Sequence, residues 1–485
     1  MYRLLKTNLH FLWLILFFVL HNYNEFQNHF SFRDIVTFSL IVTGFSFFLF
    51  IGSRYFLKDG KKAGILTTVI IAVCLFFGAI QDALSSSSFT VNVAALEVLL
   101  LIFFIILLVL TVLLFIYKGA LQKKILYLNL LFLLNILFEL LRFIITNQTN
   151  TSGDNLQLAG FRKTNVSARP SVYLVILDDY TGISVLKKKF LFDNSAFYQS
   201  LAGKGFHIAD SSFSNYKLTV LSMASMLNMD YIGSYRKLAE NKNYSYKTAL
   251  KEIKFNKVTR YLKQEGYKII NYSFFDFYEA PASVRNDLWG GNIRILINQT
   301  LYGRVMKNLP FFLARKKITS RLLNNLNDEY INQLNYSLNQ SIINERQNLS
   351  GKNMPVFTYM HLNIPHAPYL FDSSGQRITE NRNFESVGKN SAYIQYLIYC
   401  NKRILKWVDE IQEASGKKAV IIIMSDHGTY MPGAGGRVFE NLNAVYIPGS
   451  NYSTWYSGVS NVNQFRLLFN ELFAQELTIK PDITP

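Results

Sequence analysis

Ala419 to Gly428 reads AVIIIMSDHG. Val420 to Met424 is an unbroken apolar run rich in β-branched residues, which suits a strand covered on both faces in a parallel sheet rather than one with a wet side. The run stops abruptly at Ser425, Asp426 and His427. A strand buried along its length and polar only at its carboxyl end belongs to an open α/β sheet, where ligand sites gather outside the carboxyl ends of the strands.

Two other stretches repeat the design. Val172 to Leu177 (VYLVIL) leads into Asp178 and Asp179, and Val356 to Met360 (VFTYM) leads into His361. Lys268 to Ser273 (KIINYS) is a further strand candidate with a less distinct end. Tyr393, Tyr396, Leu397, Cys400, Ile404, Val408 and Ile411 recur at helical spacing, and Gly416 follows as a stop before the Val420 strand. The expectation is an α/β domain with a mostly parallel central sheet covered by helices on both faces.

Upstream the character of the chain changes. Half of the 485 residues are apolar and 15% are aromatic, with the long uninterrupted runs all before residue 146. Five candidate membrane spans fall near residues 8–22, 35–52, 64–80, 97–117 and 125–145, each approaching the ~20 apolar residues a crossing needs. The first lacks a small-residue cleavage site after it and reads as a retained helix rather than a signal peptide. Basic residues set the orientation. Nine of them (Arg3, Lys6, Arg54, Lys58, Lys61, Lys62, Lys118, Lys123 and Lys124) fall on one side and only Arg33 on the other. The N-terminus is thus expected in the cytoplasm, and everything after the fifth span outside it. Residues 146–169 are polar and aperiodic, a linker, and residues 170–485 form the outer domain.

Of the net charge of +18, about +13 belongs to the part after residue 150, since eleven basic and six acidic residues precede it. Such a surface faces anionic headgroups or attracts an anionic substrate. Nucleic acid is a poor partner for an outward-facing domain tethered to a membrane. Cys74 and Cys400 lie in different parts of the chain, so no disulfide framework supports the fold.

If the three strand tips are neighbours, Asp178, Asp179, Asp426 and His427 converge. Carboxylates crowded at the mouth of a dry sheet repel one another unless a cation neutralises them. Oxygen donors with imidazole favour zinc or manganese over calcium. Any one tip alone reads as a capping Asp or a surface His, and it is the set that points to metal. In SNYKLTVLSMASMLNM, Ser214 to Met229, Thr219 opens a helix whose apolar face is Val220, Met223, Met226 and Leu227. A threonine there is ordinarily an N-cap, but the same place exposes its hydroxyl to a helix dipole and to a metal. In HLNIPHAPYLFD, His361 ends a strand and His366 sits between Pro365 and Pro368, which stiffen its loop. Arg437, downstream of the Asp-His pair, is a candidate phosphate contact or a plain surface arginine. Glu139 and Arg142, three apart in the fifth span, read as a mutual structural pair.

The order LDD, SNYKLT, HLNIPHAPY, SDHG resembles the alkaline phosphatase superfamily in its sulfatase-like branch. With the spans ahead of it, the chain resembles lipoteichoic acid synthases and lipid A phosphoethanolamine transferases. The resemblance implies a divalent metal held by Asp178, Thr219, Asp426 and His427, with Asp179 a further ligand candidate. It makes Thr219 the nucleophile, His366 a residue that binds the transferred group or protonates the leaving group, and His361 its neighbour in that task. It also implies a bacterial inner membrane location with the catalytic domain periplasmic or extracellular. The implied activity moves a phosphoethanolamine- or phosphoglycerol-type headgroup from a membrane lipid to a hydroxyl acceptor of the envelope through a phosphothreonine. A hydrolase of phosphate or sulfate esters is the alternative, and a non-catalytic binder of anionic glycans a second. Against a true sulfatase, no C/S-x-P-x-R pattern surrounds Thr219 or either cysteine, and Asp426-His427 stands where those enzymes usually carry Asp-Asn.

Overall fold

Membrane-length apolar runs and short apolar strand runs produce two kinds of structure in this chain. The computed structural model describes residues 7–25, 32–85, 96–150, 160–162, 169–232, 246–278, 280–282, 293–306, 309, 321–349, 354–378, 388, 391–431 and 436–483. It divides into two compact units, Met1–Leu156 with Asp287–Phe312, and Gln157–Asn286 with Leu313–Pro485.

The first unit is a membrane-embedded bundle built on α1 (His10–Glu25), α2 (Phe32–Leu57), α3 (Gly60–Ser85), α4 (Leu96–Ile116) and α5 (Gln122–Asn150). Four of these helices are long and apolar enough to cross a membrane. The first expected span, α1, has 16 residues, about 24 Å at ~1.5 Å per residue, and falls short of the ~30 Å hydrocarbon core. Its apolar side chains Phe11, Leu14, Ile15 and Phe18 are buried among the other helices. Leu40, Phe48, Phe104 and Phe138 instead lie exposed on the outside, as lipid-facing side chains do. Glu139 is buried and satisfied by His21 Nδ1 at 2.7 Å, Asn24 Nδ2 at 2.8 Å and Arg142 at 3.7 Å, so the expected Glu139–Arg142 pair is part of a larger polar cluster.

Sequence from far downstream also belongs to this unit. The helix Ile293–Asn298 buries Ile293, Leu296 and Ile297 in the same apolar cluster as Phe11 and Phe18. Arg304 forks onto Asp82 with bonds of 2.8 and 2.7 Å, and Gly78 N–H donates to Gln299 O at 2.8 Å. A Cβ at position 78 would stand 2.8 Å from the Asn298 carbonyl, which is why glycine occupies it.

The second unit is organised by a sheet of β1 (Val172–Leu177), β2 (His207–Ile208), β3 (Lys268–Tyr272), β4 (Val356–Leu362), β5 (Val420–Met424) and β8 (Asn443–Tyr446), in the order β2-β8-β5-β1-β4-β3. A separate hairpin pairs β6 (Tyr430–Met431) with β7 (Gly436–Arg437). Strands β5, β1, β4 and β3 run parallel, while β8 is antiparallel to both of its neighbours, β5 and β2. Every residue of β1, β4 and β5 is buried. Alternate residues of β1 face two cores: Val172, Leu174 and Ile176 one, Tyr173, Val175 and Leu177 the other. The first core includes Val220, Met223 and Leu227 of α8 (Thr219–Asn228). The second includes Ile394, Leu397, Ile404 and Val408 of the helix Ala392–Ala414. That helix starts where Ser391 Oγ accepts from Ile394 N–H at 3.3 Å, and Gly416 just beyond it takes a positive φ of 56°, as the sequence leads one to expect.

Candidate metal centre and nucleophile

The sheet order puts β1 between β4 and β5, and the register pairs Ile176 with both His361 and Met424. Two residues past these pairs the chains leave the sheet side by side, so Asp178 and Asp426 emerge together. Asp178, Asp179 and Asp426 are all buried, with 6% exposure at most. Among the described residues, two sets of three have ligand atoms within 4.8 Å of one another: Asp178, Asp426 and His427, and Asp178, Asp179 and His366.

His427 is fully buried at the middle of this group. Its Nε2 lies 3.0 Å from Asp426 Oδ2 and 3.1 Å from Thr219 Oγ1. Its Nδ1 lies 3.1 Å from Asp179 Oδ1 and 3.1 Å from the Gly428 carbonyl. Both neighbours of Nδ1 can only accept, so Nδ1 carries the proton and Nε2 is the nitrogen turned to the centre. Burial alone would lower the His427 pKa, but Asp426, Asp179 and Asp178 outweigh it and raise it to about 9. The cluster draws positive charge to its middle. Its mixed oxygen and imidazole donors, with three carboxylates buried around one imidazole, fit a divalent cation.

Thr219 is brought to the same place by α8. The helix is preceded by Leu218, whose side chain makes no capping bond, and Thr219 Oγ1 faces His427 instead of the helix N–H groups. One turn on, Ser222 Oγ donates to the Asp426 carbonyl at 2.6 Å and ties the helix to the Asp-His loop. Asn461 Nδ2 donates to Ser222 Oγ, Ser425 O and Asp426 O at 3.1 to 3.2 Å. Asn441 Nδ2 adds bonds to Ser425 O at 2.7 Å and Asn461 Oδ1 at 2.9 Å. Sequence reading missed this supporting network. Ser222 alone had a signal, its position one helical turn past Thr219.

His366 Nε2 stands 3.6 Å from Asp179 Oδ2, with its side chain 23% exposed. His361 comes to the same strand edges but is wholly buried, its ring against Phe274 and Phe275 and its Nδ1 2.8 Å from the Tyr359 hydroxyl. Burial pushes its pKa down to about 4. Arg437 lies in β7, and its side chain is outside the described residues.

Residues 175–467 match the model of the Sulfatase family. No curated protein matches the chain. Among solved structures, it is similar to the C-terminal periplasmic domain of EptC from Escherichia coli in complex with Zn, at 13% identity and a TM-score of 0.40, covering 66% of this chain and 86% of that one. It is also similar to the lipoteichoic acid synthase LtaP from Listeria monocytogenes (12%, TM-score 0.38, covering 64% and 75%). A third likeness is to a phosphonate monoester hydrolase of Agrobacterium radiobacter (12%, TM-score 0.34, covering 63% and 74%). The family assignment rests on the family match and not on these likenesses. With that match spanning the strands, the helix and the loops that build the centre, this chain belongs to the sulfatase family and is a sulfatase-like enzyme.

Proposed function

We propose that this protein transfers a phospho-headgroup, of phosphoethanolamine or phosphoglycerol type, from a membrane lipid to a hydroxyl acceptor of the cell envelope through a phosphothreonine at Thr219. The observation that carries the reading is the Thr219 hydroxyl at the start of α8, 3.1 Å from Nε2 of the same His427 whose ring meets the buried Asp426 and Asp179 carboxylates. Asp178, Asp426 and His427, together with Thr219 Oγ1, would hold a divalent cation, zinc or manganese by their donor chemistry. When bound, the cation lowers the pKa of the Thr219 hydroxyl and screens the oxygens of the phosphoryl group.

Thr219 Oγ1 attacks phosphorus, an Oγ–P bond forms, and the P–O bond to the lipid breaks. The first N–H groups of α8 face the phosphoryl oxygens. His366, partly exposed in its loop, protonates the departing lipid oxygen and then takes the proton from the acceptor hydroxyl, which displaces Thr219 in the second step. Asp179 holds the two histidines in place, Arg437 is a candidate contact to the headgroup, and His361, buried and neutral, supports the floor of the site. Residues 1–145 anchor the enzyme in a bacterial inner membrane. The expected linker 146–169 loses its first five residues to α5, and residues 170–485, apart from Asp287–Phe312 of the first unit, carry the chemistry on the periplasmic or extracellular side. Tethering keeps the site at high effective concentration of headgroups, and the basic surface favours anionic ones.

The test is mass spectrometry of Thr219 after exposure of the full-length protein to native lipid, with p-nitrophenyl phosphodiester and p-nitrophenyl sulfate offered in parallel. A headgroup-phosphate adduct on Thr219 that is absent from Thr219→Ala is expected. Turnover of the sulfate ester without an adduct would overturn the proposal in favour of hydrolysis.

A further inference from the structure

Asp179 sits in an unusual backbone state. It follows β1 and Asp178 with φ of 66°, in the left-handed region that non-glycine residues seldom enter. The conformation is held by backbone contacts. Tyr393 Oη donates to Asp179 O at 2.9 Å and accepts from Thr181 N–H at 3.1 Å, and Asp179 N–H donates to Asp426 Oδ1 at 3.3 Å. A glycine would take this φ at no steric cost. An aspartate here directs one oxygen to His427 Nδ1 at 3.1 Å and the other towards His366 Nε2 at 3.6 Å.

We infer that Asp179 is a positioning residue, and not a ligand of the cation held by Asp178, Asp426 and His427: its carboxylate fixes His427 as the Nδ1–H tautomer with Nε2 turned to that cation, and it holds His366 at the rim of the same centre. Three observations converge on this. Asp179 does not share the Asp178, Asp426 and His427 set; it meets His427 on the ring nitrogen remote from that set. Ligating histidines characteristically give their other N–H to a carboxylate or carbonyl, which sets ring orientation and strengthens the ligand. The bonds that hold the φ run from Tyr393 to the Asp179 carbonyl and from the Asp179 N–H to Asp426, and so engage the backbone of Asp179.

This inference rests on the metal reading above, and Asp179→Gly separates the two. Because glycine suits the φ and every backbone bond survives, the metal-free variant should melt within about 3 °C of wild type. Its affinity for zinc, titrated into metal-free full-length protein against a chromophoric chelator, should fall about tenfold at unchanged stoichiometry. That is the low end of the ~10- to 100-fold range for losing such a partner, because the Gly428 carbonyl still accepts from Nδ1. Asp179→Asn, whose amide oxygen can accept the same bond, should recover most of the affinity. Wild-type affinity in Asp179→Gly would overturn the assignment, as would loss of one equivalent of zinc, which would make Asp179 a ligand. A wild-type protein that takes up no zinc at all would instead bring down the metal reading and this inference with it.

Discussion

Ser222→Ala probes how the nucleophile is held against its centre. Ser222 is fully buried one turn past Thr219, donates to the Asp426 carbonyl at 2.6 Å and accepts from Asn461 Nδ2 at 3.2 Å. The alanine removes the shorter bond and leaves the Asp426 carbonyl with the 3.2 Å bond from Asn461. A buried acceptor stripped of all donors costs ~1–3 kcal/mol; with Asn461 still present, the loss should be about 1–2 kcal/mol. For a unit of this size that lowers Tm by roughly 2–6 °C. The effect on rate should be larger than the effect on stability. Ser222 ties α8 directly to the backbone of the Asp-His loop, and a shift on the order of 1 Å between reacting groups costs about 100-fold. We expect kcat on a p-nitrophenyl phosphodiester to fall about 10- to 100-fold with KM little changed, measured on full-length protein in detergent beside a thermal melt. Ser225→Ala is the control. It lies on the same helix and donates to Asp230 O at 2.8 Å, away from the loop, so it should show a similar fall in Tm and a near wild-type kcat. Equal kcat losses in the two variants, or none in Ser222→Ala, would refute the reasoning.

Thr219→Ala should abolish turnover and the phosphothreonine adduct while shifting Tm by less than about 2 °C, since the side chain is half-exposed and caps nothing; an active alanine variant would sink the nucleophile assignment. Chelation of the wild-type protein should lower Tm, and zinc or manganese at 100 times its Kd should restore about 2.7 kcal/mol, a recovery that Asp426→Asn should lose; melts indifferent to chelator would count against the metal centre. His361 protonates at about 4 when folded and near 6.5 when exposed. The unfolded chain takes up the proton first, so this contribution is whole above about pH 6.5 and is lost as pH falls towards 4, by roughly 2–3 kcal/mol. His361→Gln should flatten the pH dependence of Tm in the metal-free protein over that window, and an unchanged slope would show that His361 is not its source.

The strand tips were legible because the apolar runs end where their polar residues begin. VYLVIL-DD, VFTYM-H and VIIIM-SDH are short, continuous and β-rich, and a run buried on both faces leaves few alternatives to a parallel sheet. The membrane helices were legible for the same reason, apart from α1, which is too short to span. Tyr393, Asn441 and Asn461 were not legible. Tyr393 shows only as one position of a helical face, with no sign of a part in the centre, and an asparagine in VSNVNQF gives no sign that it will bond the Asp426 carbonyl.

By itself the sequence determined the layer type, the polar ends of the strands and the candidate donors, all properties of neighbours along the chain. Only the tertiary structure decided that β1 runs between β4 and β5 in equal register, and this is what gathers residues as distant as Asp178 and Asp426. It also decided which nitrogen of His427 meets Asp179 and which meets Thr219. Strand order and side-chain facing come from long-range packing and hydrogen bonding, which no local periodicity encodes.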